Sequence, residues 1–289
     1  MGAPSRDLRL PVTVLLVAAS LLSIHFLYRA EGSHSFAHVW WYGWVTALST
    51  GLGAIPVGMF CMSSKMTGLS NAVAAGMMTA ASAALIEEGL MLPAVESSMF
   101  SPVQAVIFGA MLGVAFVAIT QYVLKDAGES AHLCILEEGI DARRALLIVL
   151  VMTVHSFSEG IGIGASFGGQ TGSELGMLVT TTLAVHNVPE GFAVSSVLVS
   201  KGMSVWGAAL WSTITSIPQP IMAVAAYSCV DAFVMIQPIG LGFAAGAMLW
   251  VAWLELFVES CEACGLLSTG AVGVTSASLM SLCHAYLIA

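Results

Sequence analysis

Eight long apolar runs, joined by short polar linkers, limit this chain more than any other feature. They fall at about 39–62, 68–92, 102–124, 144–167, 174–199, 204–229, 233–258 and 266–287. An α-helix needs about 20 apolar residues to cross the hydrocarbon of a bilayer. Backbone amides in lipid must be satisfied internally, so only helices and closed barrels can span it. Ten-residue strands of alternating polarity are not evident, so the expected fold class is all-α and integral to a membrane. The composition agrees. Only 9% of the residues are charged and 58% are hydrophobic, against about 25% charged in a soluble domain.

A further apolar run, at about 10–28, follows Arg6 and Arg9. It reads as a signal peptide or as an extra spanning helix. It is long for a signal core, and Tyr28 breaks the small-residue pattern that cleavage near Ala30 needs. The expected organisation is a leader or added helix over 1–30 and one eight-helix membrane domain over 31–289. Lysine and arginine set the orientation. If the first of the eight runs enters from outside, Lys65, Lys125, Arg143, Arg144 and Lys201 all fall in cytoplasmic loops. Arg6 and Arg9 join them if the N-terminal run spans, and Arg29 lies opposite. Both ends of the eight-helix domain then face outside. The chain carries a formal charge of −9 and offers no basic patch to hold nucleic acid. Cys61, Cys134, Cys229, Cys261, Cys264 and Cys283 are scattered and form no disulfide framework.

Inside the fourth and fifth runs one phrase occurs twice. His155-Ser156-Phe157-Ser158-Glu159-Gly160 is followed by His186-Asn187-Val188-Pro189-Glu190-Gly191. Residues i and i+4 share a helix face, so each phrase sets an imidazole beside a carboxylate at membrane depth. A charge there costs several kcal/mol or more and must pair, protonate or bind a cation. No lysine or arginine lies at membrane depth in these two runs, which removes an internal salt bridge. Imidazole plus carboxylate oxygen suits zinc, iron, manganese and similar ions. A short connection lets the two helices sit antiparallel, with their polar faces converging. Pro189, Pro218 and Pro220 free carbonyls inside presumed helices, and abundant glycines allow close helix approach.

These paired phrases resemble the fourth- and fifth-helix motifs of the ZIP family of divalent metal transporters, above all its GufA/ZupT-like branch, whose motifs read approximately H-N-x-P-E-G twice. Ala74-Ala75-Gly76-Met77-Met78 resembles that family's second helix. Gly242-Phe243-Ala244-Ala245-Gly246-Ala247-Met248, followed by Glu255-Leu256, resembles its seventh. The resemblance covers most of 39–289 and implies an eight-helix ZIP-like bundle. It implies a metal site of His155, Glu159, His186 and Glu190, with a thioether from Met78 or its neighbour Met77. In the branch resembled, a second site shares both glutamates. It also uses the residue after each histidine and a glutamate before a proline in the sixth helix. Those positions here are Ser156, Asn187 and Gln219. Gln219 is neutral and Ser156 offers a hydroxyl only, so the expectation is one strong site beside a weakened neighbour.

The resemblance implies uptake of a divalent transition metal, zinc first, with iron, manganese and cadmium as alternatives. The metal is cargo rather than a catalytic cofactor, and the partners are the ion, the lipid bilayer and, as one allowed assembly, a second copy. The housing membrane is the plasma membrane or that of an organelle. A rival from another class is an intramembrane metal-dependent hydrolase, in which bound metal activates water. The H-E-x-x-H arrangement that would support it is absent, and the chain is read as no enzyme. A metal-gated receptor is a further rival. Glu255 is a pathway candidate in the seventh run. Glu87 and Glu88, at the end of the second, read first as a solvated helix end, and His34 and His38 as surface. His132, Cys134, Glu137 and Glu138 form a sparse loop set. Cys261-x-x-Cys264 is half of a zinc pattern with no second half.

Overall fold

The computed structural model describes residues 9–29, 35–59, 63–94, 100–130, 140–168, 172–200, 202–232 and 236–288, and every element among them is helical. The N-terminal run is α1 (Arg9–Arg29). The first of the eight runs is α2 (Phe36–Leu52) with a short α3 (Ala54–Met59). The next four are α4 (Ser64–Met91), α5 (Pro102–Ser130), α6 (Ile140–Ser166) and α7 (Gly172–Ser200). The sixth divides into α8 (Val205–Thr215) and α9 (Pro218–Ala232). The seventh is continuous through α10 (Gln237–Val251), a π-helical turn (Ala252–Leu256) and α11 (Phe257–Cys264). The eighth is α12 (Leu266–Ile288). The sequence expectation of eight helical runs after an N-terminal helix therefore holds. Both α5 and α6 extend into the polar linker between them. His34, His132, Cys134, Glu137 and Glu138 lie outside the described residues.

Local chemistry explains where helices start and break. Ser63 and Ser204 accept from the amides of Met66 and Gly207, at 3.3 and 3.1 Å, and so cap α4 and α8. Pro218 has no N–H to donate, and it starts α9 instead of lying inside one sixth helix. The amides of Ser216 and Ile217 turn back onto the carbonyls of Thr213 and Ile214, each at 3.1 Å. This corrects the expectation that Pro218 and Pro220 interrupt a continuous helix. Pro189 does remain inside α7.

Two groups of helices emerge from the packing. One holds α2, α3, α6, α7, α8 and α9; the other holds α4, α5, α10, α11 and α12. They meet where α4 packs on α7 and α10 on α6. The α5–α10 contact is intimate because each helix brings a G-x-x-x-G. Gly109 and Gly113 face the backbone of Ile239 and Phe243, while Gly242 and Gly246 face that of Val106 and Ala110. A methyl group at any of the four would overlap backbone.

The outer surface is apolar. Val103, Ile107, Met111 and Ile119 are all more than half exposed along one face of α5, and Leu267 of α12 is 90% exposed. A continuous apolar surface of this kind suits lipid and not water. Among the described residues, four helices are long and apolar enough to cross a membrane on those grounds alone: Ser64–Met91, Pro102–Val123, Gln237–Cys264 and Leu266–Tyr286. The chain is a multi-pass integral membrane protein. Helix α1 lies against α2, where the indoles of Trp40 and Trp44 donate to Ser23 Oγ and Ser20 Oγ at 2.7 and 2.8 Å.

Candidate metal centre

The site begins with two helix faces. On α6, His155 and Glu159 stand one turn apart; on α7, His186 and Glu190 do the same. The glycine that ends each phrase lets a neighbouring backbone come close. A methyl at Gly160 would lie 2.6 Å from the carbonyl oxygen of Gln219 on α9, and one at Gly191 would overlap the carbonyl of Thr50 on α2. The H-x-x-x-E-G pattern thus places its ligands and, one residue later, admits the helix that supports them.

The two faces converge. One ligand atom from each of His155, Glu159, His186 and Glu190 lies within 4.8 Å of all the others, and all four residues are buried. His186 Nε2 is 2.7 Å from Glu159 Oε1 and 4.0 Å from Glu190 Oε2. His155 Nε2 is 3.4 Å from Glu159 Oε1 and 3.7 Å from Glu190 Oε2. Ligands on a tetrahedral zinc, with bonds of about 2.1 Å, stand roughly 3.4 Å apart. The observed separations bracket that edge. Both nitrogens of His155, Nδ1 of His186 and both oxygens of Glu190 are buried without a hydrogen bond. Buried polar atoms are normally satisfied, and a divalent cation would satisfy this set. The donor chemistry fits zinc or a similar ion.

The neighbouring pocket is built differently. Gln219 Nε2 donates to Glu159 Oε2 at 2.5 Å, and Asn187 Nδ2 donates to Gln219 Oε1 at 3.3 Å and to the Thr46 carbonyl at 3.0 Å. Ser156 Oγ donates to Ser216 Oγ at 3.4 Å, which donates to Thr50 Oγ1 at 2.8 Å. Gln219 is therefore bonded to the histidine–glutamate cluster and Asn187 to Gln219, while Ser156 bonds to Ser216 instead. Thr46, Thr50 and Ser216 complete this network and were not singled out from the sequence. The available signal was the polar spacing of Thr46 and Thr50 on α2, inside an otherwise apolar run.

The other candidates are not among the four converging residues. Met78 is fully buried on α4, in the core cluster that contains Leu183 of α7. Glu255 is half-buried on the π-helical turn, a kind of irregularity often found at functional positions. His38 Nδ1 lies 2.7 Å from Ser35 Oγ at the start of α2. Cys264 Sγ donates to the Lys65 carbonyl at 3.2 Å, and Cys261 is a free thiol.

Fold and site together define a helical membrane protein with a buried group of two histidines and two glutamates that could hold a metal ion. The profile of the ZIP zinc transporter family matches residues 136–285. A protein of Arabidopsis thaliana named as a zinc transporter is 42% identical over 74% of this chain and 33% of its own length. The zinc transporter GufA of Myxococcus xanthus is 31% identical over 73% of this chain and 84% of its own. The zinc transporter ZIP11 of Xenopus tropicalis is 32% identical over 47% of this chain and 41% of its own. The chain belongs to the ZIP family. Its aligned part spans a third of the Arabidopsis relative and most of GufA.

Proposed function

We propose that this chain carries a divalent transition metal, zinc foremost, across its membrane into the cytosol. The observation that carries the reading is the buried cluster of His155, Glu159, His186 and Glu190, whose ligand atoms lie within 4.8 Å of one another. The names of its relatives support zinc as the first metal to test. Four ligands of mixed imidazole and carboxylate type hold such an ion, and the ion offsets two carboxylates that would otherwise be costly in an apolar interior. Conduction needs a site tight enough to fill and weak enough to empty. The cluster is carried by α6 and α7, the helices through which one group packs on the other, so movement of one group along the other would carry it toward each side in turn. The distribution of lysine and arginine sets which face is cytoplasmic, and inward movement is the direction that the family resemblance implies.

Gln219 supports a single strong metal site. Its amide nitrogen faces Glu159, and a donor so placed opposes a second cation sharing that carboxylate. Ser156 and Asn187 are supports of that pocket, and Met78 is a candidate fifth ligand from α4. Helix α1 is read as an added membrane helix, supported by its two indole bonds to α2.

The test is zinc flux into liposomes holding the purified full chain, compared with His155→Ala and Glu190→Ala. Loss of flux in both variants, with the protein still folded, is the expected result. Undiminished flux in both would sink the site. Zinc binding without flux in the wild type would support a receptor instead.

A further inference from the structure

The two helix groups meet along α6 and α10 through small side chains. A methyl added at Gly240 of α10 would lie 2.8 Å from the Cβ of Ala165 on α6, and one at Gly162 of α6 would lie 2.9 Å from the Cβ of Ala244 on α10. The pairing is antiparallel, and one turn further along it reaches Gln237 and Gly168. There Gln237 Nε2 donates to the Gly168 carbonyl at 2.9 Å. Gln237 is only 2% exposed. We infer that this bond is an outer latch on the metal pathway: Gln237 holds the two groups closed on the outer side, and its release admits the ion from the outer solution. The inference rests on the reading of the chain as a metal transporter.

Position puts the bond on the outer side. Helix α6 has Arg143 and Arg144 in its first turn and ends at Ser166, 22 residues past Arg144, roughly 33 Å along its axis. The arginines mark the cytoplasmic face, so Gly168, just past the helix end, lies toward the opposite one. Ser166 is also seven residues past Glu159, roughly 10 Å further out than that ligand. At this height Phe167, Leu175 and Val179 are all buried, and Phe167 stacks on Tyr42 with ring centroids 5.2 Å apart. The way in from outside is shut. A second polar contact crosses between the groups in the same half, where Thr182 Oγ1 of α7 lies 3.5 Å from His284 Nδ1 of α12. Toward the cytoplasm α11 is tied to its own group instead, since Asn71 of α4 donates to Glu259 at 3.1 Å.

A latch needs a tie that yields. Inside each group the glycine contacts press on backbone: a methyl at Gly164 of α6 would lie 2.1 Å from the Ala223 carbonyl oxygen of α9, just as Gly109 of α5 faces that of Ile239. Helices interlocked in that way resist sliding. The methyl contacts between α6 and α10 present no such obstacle. The bond from Gln237 to Gly168 is directional, and it is lost once donor and acceptor part by about 1 Å. Water entering the opened seam then satisfies both groups. The net bias toward closure is therefore small, about fivefold for one hydrogen bond. A tie of that size closes the outer side without trapping it, as a pathway that must admit ions requires.

The test uses the full chain with Gln237→Met, which keeps the length of the side chain and removes the donor. Ser166→Cys is the outer reporter: Ser166 is buried and lies four residues past Gly162, on the helix face turned to α10. Ser70→Cys, at a buried position near the cytoplasmic end of α4, is the inner one. In lipid nanodiscs, alkylation of each reporter by a soluble maleimide is followed by peptide mass spectrometry. Gln237→Met should speed labelling of Ser166→Cys about fivefold and leave Ser70→Cys no faster. In proteoliposomes it should lower the KM for zinc by up to the same factor, because a larger fraction of the protein is open to the ion. Should Gln237→Met not fold, Gln237→Asn is read in the same way, because its amide is one methylene short of the Gly168 carbonyl. A glutamine that only fills space predicts no change with methionine. Equal labelling of Ser166→Cys with and without the donor, or faster labelling of both reporters, overturns the inference. So does an unchanged KM where the outer reporter labels faster. Failure of the transport reading looks different: the wild type then moves no zinc, whatever the reporters show.

Discussion

The two halves of the buried histidine–glutamate cluster come from one repeated phrase, yet their carboxylates are held differently. Glu159 is clamped: the imidazole of His186 lies 2.7 Å from one oxygen, and the Gln219 amide donates to the other. Neither oxygen of Glu190 accepts a hydrogen bond, and its imidazole neighbours stand at 3.7 and 4.0 Å. The neighbours create the difference. Gln219 reaches the α6 half-site from α9, while the corresponding approach to α7 is made by the backbone of Thr50 at Gly191. A duplicated motif thus yields a fixed ligand and a loose one. The fixed carboxylate loses little freedom when metal arrives. The loose one has no competing partner to give up.

The sharpest way to break this comparison is to remove each carboxylate in turn. Glu190→Ala should weaken zinc binding by at least about 100-fold, the upper range even for changes one shell out, as read by calorimetry on purified protein. Its melting temperature without metal should stay near that of the wild type. Glu159→Ala should lose metal too, but it also leaves His186 and Gln219 without their buried acceptor. That should cost about 1–3 kcal/mol of metal-free stability, seen as a lower melting temperature. Equal melting temperatures for the two variants would erase the distinction between clamped and loose carboxylates.

Protons compete with metal for all four ligands. Apparent zinc affinity should therefore fall as pH falls, by about tenfold per pH unit for each proton displaced. A binding constant that is flat from neutral to mildly acidic pH would exclude the imidazole–carboxylate set. Gln219→Glu tests the amide clamp more gently. It exchanges a donor for an anion beside Glu159 and should raise the bound metal from one ion toward two, as measured by elemental analysis. Unchanged stoichiometry and unchanged metal preference would show that the neighbouring pocket is closed for another reason. Ser216→Ala should have the smallest effect. It removes one link between Ser156 and Thr50, and should lower stability by about 1 kcal/mol while leaving zinc affinity nearly intact.

Much of the fold and the ligand set was legible along the chain. Runs long enough to span a bilayer announce themselves in composition, because lipid demands apolar side chains over the whole length of a helix. The pairing of His155 with Glu159, and of His186 with Glu190, follows from helical periodicity alone. Pro218 misled on one point, since proline marks a helix start as readily as a kink and only the turn at Ser216 and Ile217 decides between them. Thr46 and Thr50 left only a faint polar spacing on α2 and Ser216 left none, because single hydroxyls are common in membrane helices.

By itself, then, the sequence determined an all-helical membrane protein and two histidine–glutamate faces at membrane depth. Periodicity and hydrophobicity act over a few neighbouring residues, and both can be read from spacing. The tertiary structure decided which faces meet, that the Gln219 amide turns toward Glu159 and leaves Glu190 untethered, and that Gln237 bonds to Gly168 across the two groups. Those relations join residues 27 to 69 positions apart. They depend on how helices dock through glycine contacts, a property of surfaces that no local pattern encodes.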